Sequence, residues 1–355
     1  MNVRRRIAIE IVLGVALIVG LYLGLRTRQV GIWPAGRVEV GSGYHEVMGT
    51  FGRAVAVAMR RDTAKKCVEA AMEQVRNVDA LMSDYKGDSE ISRVNRQAFG
   101  SAVKVSAATY EVLERSVELS QMTDGAFDIT VGPLVDLWRS AAEANTMPNG
   151  AELAVARAKV GYEKLTLDPN EMSVRFGVEG MRVDLGAIAK GYSIDKAIEA
   201  MQKLGAIGGM VDVGGDIRCF GASPNGKNSW MIGVQDPRKA KAWLGTGQPV
   251  LVLKLTSAAV ATSGDYRRYV TIRGKRHSHV IDRKTGDGSN KLDSVTIIGE
   301  NATKADGLAT AVSVMGAEKG LSLIEGIPHT EAILISLRPK YKLIQSSGAR
   351  KYIKQ

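Results

Sequence analysis

The second half of the chain is built from short runs of apolar and β-branched residues that follow one another closely. From Met210 onward these runs include MVDVGGDIRCFG, WMIGVQ, VLVLKLT, RRYVTIR and SHVID, each with the length and composition of a strand. Amphipathic helices are predicted at only a few places, over 63–82, 106–122, about 187–204 and about 303–315. Because strands in runs do not alternate with helices, the sequence predicts an α+β fold with mixed sheets and a few long helices. One body of two closely packed lobes is the simplest arrangement.

An apolar segment, Ile7–Leu25, follows three arginines near the N-terminus. Its 19 residues carry one charge, Glu10. About 20 apolar residues suffice to cross the hydrocarbon core of a bilayer. A cleaved signal peptide has a similar pattern, but no small-x-small cleavage site follows Leu25. We therefore predict an uncleaved transmembrane signal anchor over 7–25.

The arginines also predict the orientation of this anchor. They precede the span, so residues 1–6 are expected in the cytoplasm and the rest of the chain outside it. In a bacterium this places the chain in the inner membrane, with its catalytic domain in the periplasm or outside the cell. A linker with Pro34 is predicted over 26–42, and a single domain over 43–355.

Charge and cysteine content narrow the classes of partner. The formal net charge is +11, but lysines and arginines are scattered among acids and form no basic run interleaved with aromatic residues. Nucleic acid is therefore not predicted as a partner.

Cys67 and Cys219 could form one disulfide or remain two buried thiols, and no Cys/His spacing resembles a zinc site.

The segment VDLGAIAKGYSID, residues 183–195, places an acid, a small-residue step and a lysine at a strand-to-helix junction. The first N–H groups of a helix beginning near Ala187 are unpaired, and their positive end favours an anion. Gly186 lets the backbone approach a ligand, and Lys190 adds a full positive charge. These features predict a phosphate site, whereas Asp184 could alternatively do no more than cap the helix.

The segment NATKADGLATAVSVMG, residues 301–316, predicts a helix with two oxygen donors on one face. Asp306 and Thr310 are four residues apart, so they lie one turn from each other. A carboxylate and a hydroxyl in this arrangement suit a hard cation such as Mg²⁺. The alternative is that Thr310 bonds back to the Asp306 carbonyl while the Asp306 carboxylate is solvated.

Two further segments hold candidate site residues. In RHSHVIDRKTG, residues 276–286, His279 stands where a strand enters a turn and can exchange protons near neutral pH, although a structural histidine is an alternative. In MTDGAFDITVGPLVDLW, residues 122–138, Phe127 lies beside an acid in a turn-rich segment. Its ring either faces a planar ligand or belongs to the core.

Nine segments in order match one family. They are MGTFG (48–52), MSDYKGDSEISRVN (82–95), DGAFDITVGPLVDLW (124–138), VDLGAIAKGYSID (183–195), VDVGGDI (211–217), IGVQDPR (232–238), ATSGDYRRY (261–269), HVIDRKTG (279–286) and TKADGLATA (303–311). In order and spacing the chain resembles the FAD:protein FMN transferases, the ApbE family. The resemblance covers residues 48 to about 315.

The resemblance implies an ApbE-like, T-fold-like catalytic body and a Mg²⁺-dependent transfer of a phosphoryl group. FAD is the substrate, AMP is released, and FMN is attached through a phosphoester to a Thr or Ser of an acceptor protein. A subunit of a membrane redox enzyme is the acceptor that the family suggests. Two alternatives stay open: an FAD pyrophosphatase that gives FMN and AMP, and a flavin-binding protein without catalysis.

The resemblance also implies roles for individual residues. The metal ligands carry over onto Asp306, Thr310 and the main-chain carbonyl of Ala187. The flavin contacts carry over onto Met48, Tyr85, Ala126, Phe127, Asp128, Asp184, Lys190 and Ile281. His279 is implied beside the reacting phosphate as the base, and Lys190 as the residue that stabilises its charge. One departure is Arg283, where the family commonly has Pro, and it suggests a less rigid loop.

Overall fold

The computed structural model describes residues 36–224, 226, 229–239, 248–264, 269–337 and 339–354. The predicted membrane anchor, residues 7–25, lies outside these ranges, as does most of the predicted linker. No helix within the described ranges is long and apolar enough to cross a bilayer. The strand Val38–Gly41 lies inside the predicted linker 26–42, so that prediction is wrong for these four residues, which pair with a neighbouring strand.

The strands and helices alternate irregularly along the chain. The strands are β1 Val38–Gly41, β2 His45–Val47, β3 Thr50–Ala58, β4 Val103–Lys104, β5 Leu165–Asp168, β6 Ser173–Phe176, β7 Gly208–Val213, β8 Asp216–Gly221, β9 Trp230–Val234, β10 Leu251–Leu255, β11 Ala258–Gly264, β12 Tyr269–Ile272, β13 Lys275–Ser278, β14 Ser294–Gly299, β15 Glu331–Ser336 and β16 Lys342–Gln345. The helices are α1 Arg61–Met82, α2 Glu90–Gln97, α3 Ala107–Met122, α4 Gly132–Glu143, α5 Gly150–Ala158, α6 Ala189–Lys203, α7 Ala302–Met315 and α8 Ala317–Glu325. Short 3₁₀ helices lie at Tyr162–Lys164, Pro237–Lys239 and Ala349–Tyr352.

A nine-stranded sheet forms the centre of the molecule. Its order is β1-β3-β7-β8-β11-β14-β15-β16, with β2 paired to β3. Three smaller sheets are formed by β9 with β10, by β12 with β13, and by β4, β5 and β6. The α+β class is confirmed, and the described strand pairs are antiparallel.

Both faces of the central sheet are covered, which explains why β3 is almost uniformly apolar. Successive side chains of a strand point to opposite faces. Ala54 and Ala56 pack against helices α1 and α6, whereas Val55 between them packs against the hairpin β9–β10 on the other face. The two cysteines follow the same division, since Cys67 lies with the helices and Cys219 with the hairpin. Both are free and buried, so the alternative of two buried thiols is correct.

Helices α6 and α7 approach each other unusually closely. A Cβ atom added to Gly191 in α6 would lie 2.2 Å from the Ala302 carbonyl oxygen at the start of α7. Glycine is therefore required at this crossing because any side chain would overlap the backbone of α7. The close approach brings Lys190, the neighbour of Gly191, beside Asp306 on α7.

Candidate active site

A buried group of three charges lies where α6, α7 and β8 meet. The Lys190 Nζ donates to both carboxylate oxygens of Asp306, at 3.0 and 3.1 Å, and to Asp216 at the start of β8. The Gly191 N–H also donates to Asp306, at 3.1 Å, and the Thr262 N–H donates to Asp216, at 2.9 Å. The junction predicted from VDLGAIAKG thus has a fixed cation held between two carboxylates.

The charges in this group alter one another's protonation. The pKa of Asp306 is raised to about 6: burial is the largest cause, the charge of Asp216 adds to the increase, and the Lys190 ammonium opposes it. Burial alone would lower the pKa of Lys190, but the attraction of Asp216 and Asp306 outweighs it and raises that pKa above its ordinary value. Lys190 therefore stays charged at neutral pH.

The start of α6 has fewer free N–H groups than the sequence predicts, because Ala189 donates to the Leu185 carbonyl at 2.8 Å and Gly191 donates to Asp306 at 3.1 Å. The helix begins at Ala189, two residues later than expected, and no side chain caps it at Ile188. Asp184 accepts the Gly186 N–H at 2.8 Å and so shapes the preceding turn without capping the helix. Burial raises the pKa of Asp184, with a smaller contribution from the charge of Asp84. The capping alternative for Asp184 is therefore wrong, and the phosphate site stays a prediction, with the Asp306 carboxylate as the anion at this helix end.

Asp306 and Thr310 have the surroundings expected of ligands to a hard cation. Asp306 is only 3% exposed, so the alternative of a solvated carboxylate is wrong. The Thr310 hydroxyl lies 3.4 Å from that of Ser263 on β11. Both oxygens of Asp306 are bonded to Lys190, and a carboxylate and a hydroxyl are donors of the kind that Mg²⁺ prefers. The described residues contain no group of three His, Cys, Asp or Glu that could hold a metal, so a cation bound here would also need main-chain and hydroxyl oxygens.

Asp195, in the second turn of α6, fixes the start of α7. Its carboxylate accepts the N–H groups of Ala302 and Thr303, both at 2.9 Å, and the Thr303 hydroxyl at 2.5 Å. Arg218 on β8 donates to the same carboxylate at 2.7 Å. A negative charge at the N-terminus of α7 is favourable, and these contacts set the position of Asp306 one turn further on.

The segments that carry the predicted flavin contacts meet at one corner of the molecule. The Asp184 N–H donates to the Ile129 carbonyl at 2.7 Å, and the Asn95 amide bonds both main-chain groups of Val183, at 2.8 and 3.0 Å. Tyr85 is 78% exposed beside Arg139, whose guanidinium lies 5.1 Å from the ring centre and donates to the hydroxyl at 3.0 Å. The Arg182 guanidinium donates to Asp84 at 2.8 Å, and this bond joins the segment that carries Tyr85 to the segment that carries Asp184.

Not every predicted flavin contact offers its side chain to a ligand. The Phe127 ring is buried and packs near Gly307 of α7, so the core alternative is correct for it. The Asp128 carboxylate accepts four groups of the protein, from Thr130 N–H and hydroxyl, Tyr162 N–H and Arg283. The side chains of Phe127 and Asp128 are therefore already engaged within the protein.

His279 and Ile281 lie in a loop that is bonded to α7. His279 is exposed, whereas Ile281 is buried among residues of α4 and α5. The Ser289 N–H donates to the Val280 carbonyl at 2.7 Å, and the Ser289 hydroxyl donates to the Ser313 carbonyl on α7 at 2.6 Å. The loop that carries the predicted base is thus tied to the helix that carries Asp306.

Met48 occupies the turn between β2 and β3. Its backbone has a φ of 51°, in the left-handed region that few residues other than glycine adopt. The half-buried side chain packs against the cluster of α1 and α6 and also against the cluster around α7. The turn therefore places Met48 where the two clusters meet.

Comparison with known proteins decides the family. The ApbE family model matches residues 48–334. The chain belongs to the ApbE family. A relative from Haemophilus influenzae named FAD:protein FMN transferase is 36% identical over 271 residues, covering 74% of this chain and 76% of the relative. A relative of the same name from Vibrio cholerae is 35% identical over 279 residues, covering 78% and 81% of the two chains.

Solved structures of ApbE proteins have the same fold. The ApbE protein of Thermotoga maritima superposes with a TM-score of 0.78 at 30% identity, covering 88% of this chain and 98% of its own. The flavin transferase ApbE of Vibrio cholerae superposes with a TM-score of 0.76 at 31% identity, covering 90% and 100%. The predicted family and its fold are confirmed.

Two charged residues of this ApbE chain were not among the predicted site residues. Asp216 was visible only as part of a glycine turn, GGDI, and its role depends on Lys190, 26 positions earlier. Arg283 bonds Asp128 at 2.9 Å and Glu163 at 2.7 and 2.9 Å. These ion pairs join its loop to two other segments, and the lower rigidity expected from Arg283 stays a prediction.

Proposed function

We propose that the chain transfers FMN from FAD to a Thr or Ser hydroxyl of an acceptor protein and releases AMP. The observation that supports this most strongly is the partly buried cation Lys190, held by the buried carboxylates Asp216 and Asp306 at the start of α6, which has no side-chain cap. Membership of the ApbE family and relatives named FAD:protein FMN transferase favour the same reaction. In phosphoryl transfer the protein mainly positions groups and neutralises charge, which is what this arrangement offers.

We infer that Asp306, Thr310 and the Ala187 carbonyl would hold Mg²⁺. When bound, Mg²⁺ supplies Lewis-acid polarisation of phosphate oxygens. The supporting observation is the buried Asp306 carboxylate with a cation already at both of its oxygens. When Asp306 binds another cation, Asp216 still provides a carboxylate partner for Lys190. Lys190 then stays charged and available to the substrate's phosphates.

The proposed transfer exchanges one P–O bond for another. The acceptor hydroxyl oxygen bonds to the phosphorus of the FMN half, and the bond from that phosphorus to the bridging oxygen breaks. AMP leaves with the bridging oxygen and its electron pair. The hydroxyl proton passes to His279, while Lys190 stabilises the negative charge on the phosphate oxygens.

The corner formed by Tyr85, Asp184 and the main chain of 126–128 would receive the flavin half of FAD. This assignment is supported by the hydrogen bonds that bring residues 95, 129 and 183–184 together. Tyr85 offers an exposed aromatic face of the kind that stacks on planar rings. Met48 and Ile281 would contribute apolar contacts from the neighbouring turn and loop.

We also propose that residues 7–25 anchor the chain in the inner membrane, with the catalytic domain in the periplasm or outside the cell. The support is the sequence pattern of Arg4–Arg6 followed by Ile7–Leu25. An acceptor that belongs to a membrane redox enzyme would then share the enzyme's compartment and surface.

The experiment uses the purified full-length chain in detergent with FAD, MgCl₂ and a peptide that contains a D-[SG]-[AT]-[ST] target. A matched peptide carries Ala in place of the target hydroxyl residue. We expect AMP release together with a gain in mass equal to FMN less water on the first peptide only. AMP release without peptide modification would support the pyrophosphatase, and FAD binding without either product would support a non-catalytic flavin protein.

A further inference from the structure

Arg283 joins the loop that carries His279 to the segment that carries the predicted flavin contacts. Its Nη1 donates to Asp128 at 2.9 Å and to Glu163 at 2.9 Å, and its Nη2 donates to Glu163 at 2.7 Å. Asp128 is 155 positions earlier in the chain and Glu163 is 120 positions earlier. One guanidinium thus connects three segments that are distant in sequence.

The pair with Asp128 is shielded from water. The Asp128 side chain is 1% exposed and that of Arg283 is 16% exposed, whereas Glu163 is half exposed. Screening therefore weakens the contact with Glu163 more than the contact with Asp128. The ion pair between Arg283 and Asp128 is therefore the main link between the two segments, and Glu163 orients the guanidinium from its solvent-exposed side.

The surroundings fit a flat guanidinium. A Cβ added to Gly125, whose φ is 69°, would lie 2.3 Å from the Arg283 Nε, so the glycine backbone packs directly on the side chain. The Tyr162 ring lies 5.0 Å from the guanidinium carbon. Lys has a single rotatable ammonium and cannot bond both carboxylates with the same fork geometry.

Other bonds hold the rest of this loop independently of Arg283. The Trp138 Nε1 donates to the Gly286 carbonyl at 2.7 Å, and Ser289 bonds Ser313 on α7 at 2.6 Å. The flavin-contact segment has its own supports, since Thr130 and Tyr162 also donate to Asp128. A change at Arg283 therefore alters the placement of residues 279–283 relative to residues 126–128 without removing the supports of either.

We propose that Arg283 is a positioning residue that sets His279 against the bound flavin nucleotide. This inference rests on the proposed function, in which His279 takes the proton of the acceptor hydroxyl. Without the ion pairs of the Arg283 guanidinium, His279 shifts, whereas residues 126–128 keep their position.

The test compares Arg283→Lys and Arg283→Met with the control Glu163→Gln, which keeps the Asp128 pair and an acceptor oxygen. For each full-length variant we would measure the FAD dissociation constant by flavin fluorescence, kcat at saturating FAD and acceptor, and the melting temperature. We expect Arg283→Lys to keep its FAD affinity within about threefold while kcat falls about 10- to 100-fold, since a misplacement of 1 Å costs rates of this order. Glu163→Gln should retain both values.

Three outcomes separate the possibilities. An Arg283→Lys enzyme with the wild-type kcat would overturn the positioning role while the proposed function stands. So would parallel losses of FAD affinity, kcat and melting temperature, because they indicate a structural role only. A wild-type chain that neither transfers FMN nor releases AMP would overturn the proposed function, and the positioning role with it. If Arg283→Met does not fold, the comparison of Arg283→Lys with Glu163→Gln decides the matter.

Discussion

Substitution of Gly191 by Ala tests the contact that brings the two halves of the site together. The new Cβ would lie 2.2 Å from the Ala302 carbonyl oxygen, 2.6 Å from its carbon and 2.8 Å from the Thr303 Cα, all backbone atoms that cannot rotate away. Ordinary contacts of a Cβ begin near 3.4 Å. Helices α6 and α7 therefore have to separate by about 1 Å, a backbone shift of the kind that overpacking forces.

The energetic cost follows from two opposing terms. Overpacking of a tight interior costs about 1–3 kcal/mol, whereas Ala in place of Gly favours a helix by up to about 1 kcal/mol. We expect the free energy of unfolding to fall by about 1–2 kcal/mol. The same separation stretches the bonds from Lys190 and Gly191 to Asp306, so kcat should fall about 100-fold.

Urea unfolding and steady-state AMP release measure the two effects. Gly150→Ala is the matched control, because Gly150 opens helix α5 and a Cβ there meets nothing within 4 Å. That variant should be as stable as the wild type or slightly more so, with unchanged turnover. A Gly191→Ala enzyme with wild-type stability and activity would refute the claim that α6 and α7 need this close contact.

Further predictions concern pH, the support of α7 and the second metal ligand. The raised pKa of Asp306 means that the folded chain holds this proton more tightly than the unfolded chain. The contribution of Asp306 to stability should therefore fall as the pH rises from about 4 to about 6; unfolding of wild type and Asp306→Asn across this range measures it. The rate of AMP release at limiting Mg²⁺ should fall as the pH drops through about 6. At saturating Mg²⁺ the same fall in rate should occur at a lower pH. Asp195→Asn should lower the free energy of unfolding by about 2–3 kcal/mol through weaker bonds to the start of α7, measured by urea titration. Thr310→Val should raise the Mg²⁺ concentration needed for half-maximal AMP release about tenfold, with FAD affinity unchanged in fluorescence titration.

Elements with strong local signals were predictable from the sequence. Helix α3 begins after Ser106, whose hydroxyl accepts the Thr109 N–H as an N-cap. Helix α7 begins at Ala302, one residue from its predicted start. In these places a cap or a periodic pattern lies within the element itself, so tertiary contacts are not needed to recognise it.

Other features depended on partners that no local pattern reveals. Residues 122–138 are predicted as a turn-rich segment, but helix α4 begins within it at Gly132, with Pro133 in the first turn, where proline is favourable. The burial of Phe127 depends on α7, nearly 180 positions later. Asp216 and Arg283 become recognisable only when Lys190 and Asp128 are beside them.

The most direct test of the proposed transfer compares wild-type chain and Asp306→Asn with FAD, MgCl₂ and the acceptor peptide. Mass spectrometry of the peptide and quantification of AMP are done on the same samples, and FAD binding is measured in parallel. We predict that the wild type adds one FMN to the target hydroxyl for each AMP released, while Asp306→Asn binds FAD and yields neither product. Flavinylated peptide formed by Asp306→Asn at the wild-type rate would contradict the assignment of the site.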